Sequence, residues 1–296
     1  SWDTGAVTDM SSMFEGASSF NHDLASWDTS LVMTMESMFA NADSFNGDVS
    51  TWDTSSVTSL RGTFRYASAF AGDVSLWDTS GVTDMGDTFR GATVFNGDLS
   101  TWDTSAVTTM EGMFSSARAF TGGIADWDIS SVTDISRMFA SASAFAGDLS
   151  SWDTSSVVTM RETFAYTAEF NGDLSTWNTS VVTDMSGLFR DADAFTGNVS
   201  GWDVSSVTTM QGMFSGADLF NGDLSAWDVS SVTDMRYMFR GALAFNRALN
   251  AWDTSSVELM DGMFAQTLQL NGDISGWDTS SVTDMSSMFS DADAFT

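Results

Sequence analysis

The chain contains no cysteine, no proline and no lysine, and one histidine, His22, in 296 residues. Without cysteine there are no disulfides, no thiolate metal sites and no cysteine nucleophile. Without lysine there is no Schiff-base amine, and a single histidine leaves little for a unique catalytic constellation. Charge of one sign is also scarce. All ten basic residues are arginine, against 40 acidic residues, giving a net charge of −30. Such a chain repels nucleic acid and anionic membranes, and suits cationic partners or bound cations. No apolar run reaches transmembrane length, and no signal peptide is visible. The chain opens at Ser1-Trp2 and stops at Phe295-Thr296, each in mid-phrase, and reads as an excerpt of a longer array.

What is present is a phrase, FNGDLSTWDTSAVTTMEGMF at Phe95 to Phe114, that returns every 25 residues without insertion or deletion. All 12 tryptophans mark it, from Trp2 to Trp277. With Trp as slot 0, Val fills slot 5 in every repeat and Phe fills slot 12. Slot 18 is Phe except at Leu270, and these two slots hold all 23 phenylalanines. Slot 8 is nearly always Met, slot 15 is Ala or Thr, and slot 22 is Leu, Val or Ile. Fixed large apolar slots among interchangeable small polar ones are the signature of a solenoid, in which each coil stacks on its neighbours. Trp102, Val107, Met110, Phe114 and Phe120 are the expected core of one coil. One coil cannot bury enough surface to fold alone, so stacking must supply the rest.

Within a coil, the apolar slots 5, 8, 11, 12, 15 and 18 have helical spacing. They predict a short helix, capped by Ser105 at slot 3 or Thr108 at slot 6 and limited by glycines such as Gly216 and Gly241. Slots 21 to 24 predict a short strand in a parallel ladder with a spacing of about 4.8 Å. The expectation is an α/β solenoid of twelve coils spanning residues 1–296 as one uninterrupted array.

The phrase W-D-T-S-x-V-T-x-M-x-x-M-F-x-x-A-x-x-F-N-x-D-L-S resembles the BspA-like leucine-rich-repeat surface proteins, related to repeats of mycoplasma surface lipoproteins. The resemblance covers all twelve coils. It implies a right-handed leucine-rich-repeat-like coil stack, an extracellular or cell-surface location, and adhesion to host or matrix.

Slot 1 is Asp in eleven repeats and Asn178 in the other, and slot 21 is Asp in eight of eleven. Asp28, Asp48, Asp53, Asp73, Asp78, Asp98 and Asp103 therefore stand in columns. Two readings are open. Each Asp closes an Asx turn, as the occasional Asn favours, or the columns hold calcium as hard oxygen ligands. No cofactor is expected unless calcium occupies these columns. Slots 2 and 6 are Thr in nine repeats each, a rank that could face an ice or mineral lattice; Ile129, Val204 and Val229 interrupt it. Asn178 and Asn198 lie in sequons and are candidate N-glycosylation sites. The arginines cluster in slots 9, 10, 13 and 16, as at Arg61, Arg65, Arg90, Arg137, Arg236 and Arg240. They form either a solvated face or a flank for lateral association with the Asp columns.

These features predict a non-enzymatic extracellular or surface protein, structural or adhesive, that self-associates end to end or laterally into fibres. The first alternative is a recognition module for a host or matrix protein or a glycan; the second is a calcium-dependent surface array. The variable slots show no cluster of exposed aromatics, which favours the structural reading. No nucleic-acid partner and no direct membrane insertion are expected.

Overall fold

In the computed structural model, residues 2–296 are described, and the chain divides into two compact units, Ser1–Trp152 and Asp153–Thr296. Both are built from stacked 25-residue coils. Like rings stack on like rings. Trp77, Trp102 and Trp127 follow one another at 6.4 Å with planes 5° apart. In the second unit Trp177 and Trp202 repeat this at 6.4 Å. Phe114 of slot 12 lies face to face with Phe120 of slot 18 in its own coil, at 3.9 Å, and at 5.8 and 6.0 Å from Phe89 and Phe139 of the adjoining coils. Val107, Met110, Phe114 and Phe120 have no exposure, and Trp102 is 4% exposed. Indole N–H groups from Trp52 onward are tied as well. Trp102 Nε1 donates to the Val74 carbonyl at 3.0 Å, and that carbonyl also accepts the Trp77 N–H at 3.2 Å. A buried donor left unmet would cost about 1–3 kcal/mol, so this bond sets the ring's orientation.

The expected helix does not form: among the described residues there is none. The reason lies in the backbone. Slots 10 and 14 are left-handed in every coil, as at Gly112 (φ 61) and Ser116 (φ 61), or Tyr237 (φ 57) and Gly241 (φ 68). A left-handed residue every fourth position ends a right-handed helix before its second turn. The backbone instead makes a run of tight turns. Met113, Ser115 and Ala117 donate back three residues, to Met110, Gly112 and Phe114. The alternate N–H groups of Met110, Gly112, Phe114 and Ser116 donate to the next coil, to the carbonyls of Asp134, Ser136, Met138 and Ala140 at 2.7–2.9 Å. Thus the apolar spacing that looks helical serves turns whose remaining donors point along the stack. Thr108 does not cap a helix; its hydroxyl donates to the Thr83 carbonyl at 3.1 Å. Ser105 donates to Asp103.

The parallel pairing also falls elsewhere than expected. Single-residue bridges occur at slot 7, along Asp84, Thr109 and Asp134 in the first unit and Asp184, Thr209 and Asp234 in the second. Slots 21 to 24 form no ladder among the described residues. Their groups are already used: the slot 21 Asp closes a turn, and the slot 22 carbonyl takes two tryptophan donors. The chain is therefore a repeat solenoid made of turns, with neither the helix nor the strand that the pattern suggests.

Candidate functional site

The Asp columns are exposed, and every member considered above closes a turn. Asp28, Asp53, Asp78 and Asp103 each accept, through Oδ1, the N–H and the hydroxyl of the serine two residues on, with O–O distances of 2.6 Å. Asp48, Asp73 and Asp98 accept the N–H of Ser50, Ser75 and Ser100 at 2.9 Å. The serine hydroxyl, then its N–H, holds Asp28, Asp53 and Asp103 below the usual carboxylate range; for Asp48, Asp73 and Asp98 the N–H is the larger cause. Asn178 and Asn198 make the same turn onto Ser180 and Ser200, and both stay exposed. Among the described residues no three acidic or histidine side chains converge as a metal cage.

The two threonine ranks differ. Slot 2 points inward: Thr104 is 2% exposed, and its hydroxyl donates to the Asp128 carbonyl at 2.8 Å. Ile129, Val204 and Val229 replace Thr there because the slot is core, so it presents no lattice face. Slot 6 faces solvent, with Thr83, Thr108 and Thr133 each donating to the slot 6 carbonyl of the coil before. A further ladder carries no obvious sequence signal beyond a frequent Asn at slot 19. Asn46, Asn96 and Asn246 use Oδ1 to accept the slot 19 N–H of the following coil.

The arginine flank does not stand as free cations opposite the Asp columns. Its carboxylate partners lie on the same flank. Arg61 meets Glu111 at 3.2 Å and Asp84 at 3.6 Å; Arg190 meets Glu162 at 3.2 Å; Arg236 meets Asp234 at 2.7 Å. The three tyrosines, Tyr66 in the first unit and Tyr166 and Tyr237 in the second, are each left-handed and 38–50% exposed. Tyr166 and Tyr237 line one depression, contrary to the expectation of no exposed aromatic cluster. At slot 14 and slot 10 of coils three repeats apart, these two look scattered in the sequence. In the second unit they enclose a depression of about 450 Å³. Tyr166 and Tyr237 form its walls, with Arg190, Arg240, Asp191, Gln211 and Gln266, over a floor that includes Gly212, Gly216 and Gly241. Arg240 lies over the Tyr237 ring, its Cζ 6.0 Å from the centroid. Burial, then the nearby Asp193, pushes the Asp191 carboxyl up, against the pull of Arg190 and Arg240. His22 is elsewhere, exposed and edge-on to Phe20.

A chain whose coils share backbone bonds, ring columns and one chemically varied flank is a repeat solenoid. It belongs to the family described as "Mycoplasma protein of unknown function, DUF285", whose model matches residues 1–80, 47–146, 117–227, 145–249 and 219–296. No curated protein matches the chain. Among solved structures, it is similar to TLR13 in a complex with the RNA ssRNA13, at TM-score 0.31 and 9% identity over 91% of this chain and 45% of that one. It is also similar to an internalin, InlF, of Listeria monocytogenes, at TM-score 0.26 and 9% identity, over 91% of this chain and 77% of that one. The chain thus spans less than half the length of the first of these. Among the described residues no helix is long and apolar enough to cross a membrane.

Proposed function

We propose that the chain is a non-enzymatic surface or secreted repeat protein of BspA-like kind that adheres through its Tyr–Arg flank. One observation supports this above the rest: Tyr166, Tyr237, Arg190 and Arg240 converge on one depression. Tyr and Arg are the residues that dominate binding hot spots. The other repeated columns are occupied in closing turns and joining coils, which are structural tasks. Catalysis needs a singular constellation, whereas the acidic columns repeat, and serine donors lower the pKa of members such as Asp28, Asp53 and Asp103. The purely structural alternative, a fibre assembled Arg flank to Asp flank, has less support, because Arg61, Arg190 and Arg236 already meet acids on their own flank. Calcium in the Asp columns would show as a lower melting temperature in chelator; the turns close without it.

The test presents the purified chain to arrays of matrix proteins and glycans and follows its own sedimentation in parallel. The adhesive reading expects one retained partner class and a monomer. Self-association with nothing retained would favour the fibre instead.

A further inference from the structure

The depression in the second unit holds a cation that the ion pairs of the flank leave unused. Arg240 makes no ion pair among the described residues, although the chain carries four acids for each arginine. It is exposed, and its guanidinium is held against Tyr237. The first unit holds a related arrangement, with Tyr66 at slot 14 rather than slot 10 and Arg90 ion-paired to Asp87 at 3.3 Å. Arg65 and Arg90 lie 5.7 and 5.8 Å from the Tyr66 ring, and Arg65 Nε is buried with no hydrogen-bond partner. An unpaired guanidinium beside an aromatic face is a place for an anionic group.

The size and the lining narrow the ligand. A volume of about 450 Å³ falls in the range of small-molecule sites and suits one or two sugar rings. Two tyrosine faces offer flat apolar surface, while Gln211, Gln266 and Asp191 offer amide and carboxylate groups for hydroxyls. The charge of −30 argues against an extended polyanion, which would meet the Asp columns along its length. A single carboxylate at Arg240 is screened from those columns beyond about 8 Å.

We propose that the depression bounded by Tyr166, Tyr237, Arg190 and Arg240 binds an acidic saccharide, its carboxylate at Arg240 and a sugar face on Tyr237. This deepens the adhesive reading and rests on it for biological meaning, but it can be tested by itself. The probes are methyl glucuronide and methyl glucoside, which differ only in the carboxylate, titrated into the full chain and followed by NMR. The glucuronide is expected to bind at least about tenfold tighter, the effect of one charged hydrogen-bonded pair. Arg240→Gln should abolish that difference without moving the melting temperature, because the side chain bears no structural ion pair. Tyr237→Gly should weaken both sugars, and it suits the left-handed backbone there.

Equal binding of the two sugars would overturn the proposal, as would an Arg240→Gln chain that still prefers the acid. So would a short glutamate peptide competing as well as the glucuronide, since that would make the site a carboxylate site without sugar recognition. If an array partner is retained equally by Arg240→Gln and Tyr237→Gly, this subsite and adhesion through the Tyr–Arg flank fail, and adhesion by another face of the chain stands. If the glucuronide binds but no array partner is retained, the reverse holds.

Discussion

Tyr237 lays its ring across Gly262 of the next coil, so closely that a Cβ on Gly262 would come within 2.6 Å of both Cδ1 and Cε1. Both residues are left-handed, at φ 57 and φ 58. Glycine at Gly262 is thus required twice, for its backbone and for the ring above it. Gly262→Ala should cost about 2 kcal/mol, combining a left-handed alanine with a displaced tyrosine. In a Tyr237→Gly background only the backbone part, about 1 kcal/mol, should remain. A urea double-mutant cycle reads the coupling; additivity within about 0.5 kcal/mol would contradict the contact.

Asn96 accepts the N–H of Thr121 at 3.0 Å and its hydroxyl at 3.1 Å. Asn96→Ala removes that acceptor and should cost about 1 kcal/mol, whereas Asn96→Asp keeps it and should cost less. The denaturation midpoint measures this. An unchanged midpoint for the alanine variant would mean that water replaces the side chain at no cost.

The absent helix has a spectroscopic consequence. Far-ultraviolet circular dichroism should lack the helical double minimum. The near-ultraviolet signal should be strong, because indoles 6.2–6.4 Å apart and nearly parallel couple to one another. A helical spectrum would contradict the left-handed residues at slots 10 and 14.

The turn aspartates set the response to acid. Asp28, Asp53, Asp103 and Asp203 have their pKa values lowered in the fold by serine donors. Their contribution is present above the unfolded value of about 3.9 and is lost as pH falls through the folded values. Repulsion within a chain of charge −30 acts with the opposite sign and eases as acids protonate. Thermal melts should hold level or rise from neutral pH to about 5, then fall below about 4. A melting temperature that rises all the way down would show that the turns contribute nothing.

Asp191 behaves in the reverse sense, because burial raises its pKa. Its charged form is disfavoured in the fold, so the penalty is present above the folded value and relieved as pH falls. It is also left-handed, at φ 51, where asparagine is well tolerated. Asp191→Asn should therefore stabilise the chain, by less than about 1 kcal/mol given its partial exposure to solvent. Differential melts of the two chains at neutral pH check the sign.

The sequence by itself determined the period, the register and the interior. A slip of one residue would take every tryptophan out of its column, so Trp102, Val107, Phe114 and Phe120 were readable as core from spacing alone. The Asx turns were readable as one of two options, since Asn178 and Asn198 stand where Asp otherwise does. Only the tertiary structure decided the backbone. Apolar spacings of three and four residues fit a helix and a chain of tight turns equally well. The choice lies in φ at slots 10 and 14, where serine, tyrosine, glutamate and glycine all occur and no residue type announces a left-handed turn. The Tyr–Arg flank was hidden for a related reason. Tyr166, Arg190, Tyr237 and Arg240 are far apart along the chain, and only bonds from coil to coil bring positions 25 residues apart into contact.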